Sequence, residues 1–172
     1  MNFLQFDKAS LDATEVKWHR ELKSVNGFSP TTDRLLKDVR AHLGARAPSL
    51  FYGIFSGKSS SAVAISEFVI TPKTRGNVVK LLNLHLSPML EQGLYDNDVS
   101  AINRALDAYT CSVVSSFEVG GNHNASTLKV YGRTHEQLNM LSSFAVILQA
   151  KTEELKFSVK VVDRWLEIKH GG

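Results

Sequence analysis

Hydrophobic and polar residues recur along the chain with two periods, and together these predict a mixed α/β protein. Apolar residues three or four positions apart, the spacing of an amphipathic helix, occur in residues 10–25, 31–43, 98–119 and 134–151. Short apolar runs bounded by turn residues are typical of strands, and they occur in residues 1–7, 50–55, 62–71, 78–87, 128–131, 157–162 and 165–168. The predicted order is β-α-α-β-β-β-α-β-α-β-β, with residues 89–97 as a loop or a short irregular segment.

The stretch Val78–Val146 is predicted to form the centre of the fold. Within it, a strand, a tight turn and a helix follow one another twice. Val78–Ser87 is almost continuously apolar, as expected of a central strand covered on both faces, and Pro88 ends it. In the second copy, Thr134 and Gln137 have the spacing of a capping box at a helix start. A β-meander followed by two such units requires a mixed sheet with helices on both faces.

Two finer predictions concern the first and third helices. Ser10 or Asp12 is predicted to cap the first helix, whose apolar stripe includes Val16 and is helped by Trp18. The third helix is predicted to begin at the cap Asp98 and to end at the glycines 120–121. Its apolar face is expected to comprise Ile102, Ala105, Leu106, Tyr109 and Val113.

The length of 172 residues fits one domain, and the prediction is a single domain over residues 1–172. Apolar content of 43% and charged content of 22% are ordinary for a soluble protein, and no apolar run is long enough for a membrane span. The first residues lack the features of a signal peptide. The single cysteine, Cys111, excludes an internal disulfide and favours a reducing cytoplasm.

The order of elements resembles the GCN5-related N-acetyltransferase (GNAT) superfamily over nearly the whole chain. Leu84-His-Leu-Ser-Pro88 is similar to the end of the family's fourth strand, and Leu128-Lys-Val130 with its following helix is similar to the fifth strand and next helix. The resemblance implies an acyl-CoA N-acyltransferase fold, with acetyl-CoA or another acyl-CoA as cofactor. It implies cofactor contacts at Leu86, Pro88, Gln92, Gly93 and Thr134.

The sequence departs from the family in the residues that bind the cofactor. Family members carry an Arg/Gln-x-x-Gly-x-Gly/Ala signature whose backbone N–H groups hold the pyrophosphate of acetyl-CoA at a helix N-terminus. The corresponding segment, Pro88–Asp98, has one glycine, and its acids Glu91, Asp96 and Asp98 would oppose a bound pyrophosphate. Leu141 stands where many members have a tyrosine that protonates the CoA thiolate. These differences imply a degenerate acetyl-CoA site.

Three residues are candidates for catalysis: Glu67, His85 and Tyr131. In the family a strand carboxylate often deprotonates the substrate amine, so Glu67 is a candidate base, or else it faces solvent and pairs with a lysine. His85 lies beside Asn83 in the predicted central strand, and it is either a base or a structural histidine. Tyr131 could replace the missing proton donor, or it could simply end its strand.

Three functions remain open at this stage. The first is a divergent acyl-CoA-dependent N-acyltransferase, and the second is a non-catalytic GNAT-fold module that binds a small ligand or a protein. The third is nucleic-acid binding, which the net charge of +3 and its interspersed signs disfavour. It would require four basic residues to share one face: Lys58, Lys73, Arg75 and Lys80. The six histidines are scattered, so no metal site is predicted, and a dimer is among the oligomeric states left open.

Overall fold

The computed structural model describes residues 1–25, 30–44, 49–74, 76–149 and 157–170. Its strands are β1 (Asn2–Gln5), β2 (Ser49–Phe55), β3 (Ala62–Thr71), β4 (Asn77–Leu86), β5 (Ala125–Tyr131), β6 (Phe157–Val162) and β7 (Trp165–His170). Its helices are α1 (Lys8–Ser24), α2 (Pro30–Ala41), α3 (Pro88–Tyr95), α4 (Val99–Asn122) and α5 (His135–Gln149). All seven predicted strands and all four predicted helices are present, and α3 is an additional helix.

The seven strands form one mixed sheet in the order β1-β2-β3-β4-β5-β7-β6. Strands β4 and β5 pair in parallel, whereas β1 pairs with β2, and β7 with both β5 and β6, in antiparallel fashion. A parallel neighbour requires a crossover connection, which α4 supplies between β4 and β5. The predicted mixed sheet is confirmed.

The prediction of a loop over residues 89–97 was wrong, because α3 occupies most of that segment. Pro88 is its first residue, where the fixed φ of proline suits a helix and its missing N–H is not needed. Leu90 is buried, and the Glu91 amide donates to the Ser87 carbonyl oxygen at 2.9 Å. An eight-residue helix is too short to produce a clear hydrophobic period.

Helix α1 begins earlier than predicted. Asp7 is its N-cap, and the Ser10 amide donates to Asp7 Oδ1 at 2.7 Å while the Asp7 amide donates to Ser10 Oγ. This reciprocal pair replaces the predicted cap at Ser10 or Asp12. Trp18 is fully buried as expected, but Val16 lies on the exposed side of the helix.

Helix α4 buries a face of small residues that the apolar pattern did not indicate. Leu106, predicted on the apolar face, is exposed, whereas Ala108 and Ser112 are completely buried. The helix also continues through the glycines 120–121, where it was predicted to end. Gly120 lies against Leu128, and this close approach accounts for the absence of a side chain there.

The chain divides into two compact units, each built from two stretches of sequence. The first unit contains Met1–Glu67 and Leu84–Ser112, and the second contains Phe68–Asn83 and Val113–Gly172. The core of the first unit includes buried side chains from β2, β3, α1, α2 and the connection between β1 and α1: Phe6, Leu11, Trp18, Leu35, Leu36, Val39, Phe55, Ala62 and Ile65. In the second unit, Val130, Leu141, Leu166 and Ile168 are buried. That residues 1–172 form a single domain stays a prediction.

Substitution by alanine should have different effects at two helical glycines, Gly93 and Gly120. A Cβ at Gly93 would lie 2.5 Å from Cβ of Ala101, which is fixed to the backbone of α4, so α3 and α4 would have to separate. At Gly120 the nearest atom is Leu128 Cδ2, the end of a rotatable side chain. We expect Gly93→Ala to lower the free energy of unfolding by about 1–3 kcal/mol. Gly120→Ala should cost less, because alanine gains up to about 1 kcal/mol in helix propensity.

Urea unfolding of both variants tests this expectation. The double variant Gly93→Ala with Ala101→Gly should recover most of the loss, since it removes the close pair of Cβ atoms. Equal losses for Gly93→Ala and Gly120→Ala would contradict the explanation.

Candidate functional site

Two of the three predicted catalytic residues lie side by side on strands β3 and β4. His85 Nε2 is 3.5 Å from Glu67 Oε2, and the two side chains are 21% and 23% exposed. The Nε2 atom itself is buried, and it makes no hydrogen bond among the described residues. A buried polar atom that lacks a hydrogen bond requires an explanation, and a catalytic or binding role is one of the few available.

The strand around His85 is fixed by apolar packing. Its neighbours Leu84 and Leu86 pack against a cluster in the same unit that comprises Ile54, Val63, Ala64 and Ala108. Leu86 was predicted to contact the cofactor, and the structure places it at the end of β4 against this cluster. The imidazole is therefore held on a rigid element, as a catalytic or binding group requires.

A buried hydroxyl pair supports the strand next to Glu67. Ser66 Oγ and Ser112 Oγ are 2.8 Å apart, and both residues are completely buried. The bond joins β3 to α4 at the residue that precedes Glu67, on the opposite face of the strand. Sequence reasoning missed it, because nothing local indicates that two serines 46 residues apart will meet.

The start of α3 is occupied by a carboxylate of the protein itself. The Met89 amide donates to Glu21 Oε2 at 3.2 Å, and the Ser87 amide donates to the Val63 carbonyl oxygen at 2.9 Å. Glu21 is nearly buried, and its other oxygen lies 3.7 Å from Lys17 Nζ. Backbone N–H groups at a helix N-terminus favour a negative charge, and here Glu21 supplies it.

This arrangement does not fit the pyrophosphate of an acyl-CoA. Pro88 has no N–H, and the Met89 amide is engaged by Glu21, so the first three residues of α3 leave only the amide of Leu90. A diphosphate would also meet the carboxylate of Glu21 at close range, which repels it. The start of α3 therefore does not fit a pyrophosphate at Pro88, where the resemblance implied a cofactor contact.

Gln92 and Gly93, two other predicted cofactor contacts, have structural roles in α3. Gln92 Nε2 donates to Asp96 Oδ1 at 3.0 Å across one helical turn. Gly93 provides the close approach of α3 to Ala101 in α4. The single glycine of the segment is thus explained by helix packing.

Tyr131 and Thr134 lie in the second unit, whereas Glu67 and His85 lie in the first. The centroids of the Tyr131 and Trp165 rings are 4.8 Å apart. Cζ of Arg164 lies 6.0 Å from the centroid of the Tyr131 ring. Thr134 caps α5, since its Oγ1 accepts from the Gln137 amide at 3.2 Å. The Gln137 side chain accepts from the amide of Arg133 rather than Thr134, so only half of the predicted capping box forms.

Tyr109 in α4 is a polar group that sequence reasoning treated as part of an apolar face. It is buried, and its hydroxyl makes no hydrogen bond among the described residues. Burial raises the pKa of this phenol well above its usual range. The buried Tyr109 hydroxyl can therefore donate a hydrogen bond to, or accept one from, a group that reaches it.

The basic residues proposed for nucleic-acid binding belong to different units. Lys58 is exposed in the β2–β3 loop of the first unit, and Lys73 and Lys80 belong to the second unit. Arg75 lies outside the described residues. Within the described ranges no cluster of histidine, cysteine or carboxylate side chains could hold a metal ion, and no helix is long and apolar enough to cross a membrane.

Comparison with solved structures shows a shared fold. A probable acetyltransferase is 11% identical over 95% of this chain and 99% of its own, with a TM-score of 0.53. An acetyltransferase of the GNAT family from Staphylococcus aureus is 8% identical over 96% of each chain, with a TM-score of 0.39. AtaTR bound with AcCoA is 14% identical over 98% of this chain and 92% of its own, with a TM-score of 0.41.

No family model and no curated protein matches the sequence. At this level of identity the first of the three structures carries the fold and nothing finer. The fold predicted from the sequence, a mixed α/β sheet with its helices, is shared with this structure.

Proposed function

We propose that the protein is a divergent acyl-CoA-dependent N-acyltransferase in which Glu67 and His85 together act as the base. The observation that carries the proposal is the contact of 3.5 Å between His85 Nε2 and Glu67 Oε2. An amine must lose a proton before or while it attacks an acyl group, and a positioned imidazole or carboxylate contributes about 10²–10⁴-fold to such a step. The proton would be held between His85 Nε2 and Glu67 Oε2.

The pair has the electrostatic requirements of a base. When His85 takes up a proton, the adjacent carboxylate stabilises the resulting imidazolium, and partial burial strengthens that attraction. The same negative charge favours the approach of a cationic amine. The proposed acceptor is therefore a primary amine that reaches the Glu67–His85 pair on β3 and β4.

The acyl donor is proposed to be acetyl-CoA or another acyl-CoA, bound without the pyrophosphate contact at the start of α3. Glu21 is the residue that opposes that contact, so we expect acetyl-CoA to bind weakly. Glu21→Gln keeps the shape of the side chain but removes its charge. We expect this variant to bind acetyl-CoA about 5–30-fold more tightly, as estimated from the worth of one charge at a helix end.

Calorimetric titration with acetyl-CoA tests this expectation, with desulfo-CoA as the control for thiol effects. Glu118→Gln, which neutralises an exposed acid of α4, is the matched control and should bind as the unchanged protein does. The acyl-CoA assignment would be overturned if neither the unchanged protein nor Glu21→Gln bound acetyl-CoA at millimolar concentration.

The second candidate is a non-catalytic module that binds a small ligand or a protein, and the Glu21–Met89 contact favours it. A helix start that is already satisfied by an internal carboxylate needs no ligand. In this case Glu67 and His85 would bind a cationic group without reaction. Two results together would support the module over the enzyme. An amine should bind saturably to the unchanged protein and not to Glu67→Gln, and no acyl transfer should occur in the presence of acetyl-CoA.

A further inference from the structure

One face of the sheet in the second unit concentrates lysines in a regular pattern. The pairing of β5, β7 and β6 aligns Lys129 with Glu167 and Glu167 with Lys160 in one row across the strands. The neighbouring row contains Thr127, Lys169 and Ser158, and the row on the other side contains Tyr131, Trp165 and Val162. Aligned residues share a face of a sheet, so these nine side chains form one surface, which we name the lysine face.

The lysine face carries an excess of positive charge around a single acid. Lys129, Lys160 and Lys169 all pair with Glu167, the last two at 3.9 and 3.6 Å. Three ammonium groups against one carboxylate leave a net charge of two positive charges. The three lysines hold the pKa of Glu167 below its usual range, and the hydrogen bond from Lys129 is the main cause. The Lys160 and Lys169 side chains are 57% and 48% exposed, so both charges can be reached by a ligand.

The row of lysines continues onto a fourth strand. Lys80 in β4 aligns with Lys129 in β5, so lysines stand on β4, β5 and β6 in one line. Neighbouring strands are about 4.8 Å apart, and the line therefore spans about 14 Å. The charge is extended rather than concentrated at one point, which suits a linear polyanion.

An aromatic pair borders the line of lysines. Tyr131 and Trp165 are aligned on β5 and β7, both are half-buried, and their ring centroids are 4.8 Å apart. Arg164 lies beside the Tyr131 ring and binds the carbonyl oxygens of Gly132 and Arg133, which fixes its position. Partly exposed rings on a sheet can stack on nucleobases while adjacent cations contact the phosphates.

We propose that the lysine face, together with Lys80, binds single-stranded nucleic acid. An acidic protein segment would satisfy the lysines equally well, but it would make no use of the Tyr131–Trp165 pair. A single strand uses both features, since its phosphates follow the lysine line and its bases reach the aromatic row. The net charge of the whole chain disfavoured nucleic acid because it sums this face with the acidic residues of every other part of the chain.

Fluorescence anisotropy with a labelled uridine oligonucleotide of about 12 nucleotides tests the proposal, at a length within known site sizes. With about three phosphate contacts, affinity should fall about 20-fold between about 50 and about 200 mM salt. Lys160→Ala with Lys169→Ala should weaken binding about tenfold and reduce the salt dependence by about two contacts. Lys23→Ala with Lys37→Ala removes the same charge from α1 and α2, and it should leave binding unchanged.

Tryptophan fluorescence separates stacking from charge attraction. The chain has two tryptophans, and Trp18 is fully buried, so quenching by the oligonucleotide reports on Trp165. We expect quenching with the oligonucleotide and none with polyglutamate of equal charge. Equal affinity for polyglutamate without quenching would overturn the proposal in favour of an acidic protein, and equal loss in both double-lysine variants would overturn the location.

Discussion

Glu67→Gln should lower kcat/KM for acyl transfer by about 10²–10⁴-fold, the range by which a positioned base accelerates proton transfer. Glutamine keeps the length of the side chain but cannot carry the charge that stabilises a protonated His85. The measurement is release of the CoA thiol from acetyl-CoA in the presence of mixed primary amines, with the acylated product identified by mass spectrometry. The fold should persist, because Glu67 is partly exposed.

The same assay on His85→Ala and on the double variant tests whether the two residues act as one unit. If the two groups act as one unit, removing either of them already abolishes their joint effect. The double variant should then be scarcely slower than the slower single variant. Effects that multiply would contradict a shared role. Full activity in Glu67→Gln would remove the carboxylate from the mechanism.

Trp18→Ala should lower the free energy of unfolding by about 3–5 kcal/mol, the cost of deleting a large buried aromatic side chain. Trp18 is part of the core of the first unit, and its Nε1–H donates to the Ala62 carbonyl oxygen at 3.0 Å. Ala62 is also bound through its amide, which donates to Thr14 Oγ1 at 2.9 Å. The substitution therefore empties a core position and leaves a buried acceptor without its donor.

Denaturant unfolding measures this loss, and Val16→Ala on the exposed side of α1 provides the control. We expect the control to change stability by less than about 0.5 kcal/mol. Trp18→Phe should lie between the two, because it retains most of the packing and loses the hydrogen bond. A loss below about 1 kcal/mol for Trp18→Ala would contradict the assignment of this side chain to the core.

The strands could be predicted well from the sequence, whereas α3 and the buried face of α4 could not. Strands β3 and β6 have the predicted bounds, because each is an apolar-rich segment that lies between polar turn residues. Helix α4 buries Ala108 and Ser112, whose small side chains give no hydrophobic signal. These small side chains let α4 approach its packing partners closely, and those partners lie far away in the sequence.

For the candidate site, residue types were predicted but their partners were not. Glu67 and His85 stood out as polar residues within apolar strands, and the structure brings them together. That contact depends on how β3 and β4 align, which no local pattern specifies. Glu21 could not be foreseen as the acceptor of the Met89 amide at the start of α3, since the contact joins residues 68 positions apart.

The interleaving of the two units limits how the protein can be divided. Each unit takes two separate stretches of sequence, and β3, β4 and α4 each pass from one unit to the other. A single cut in the backbone therefore cannot separate the two units from each other, wherever it is placed. Expression of one unit alone would require joining its two stretches with a new linker, so gene fusions and truncations should treat the chain as indivisible.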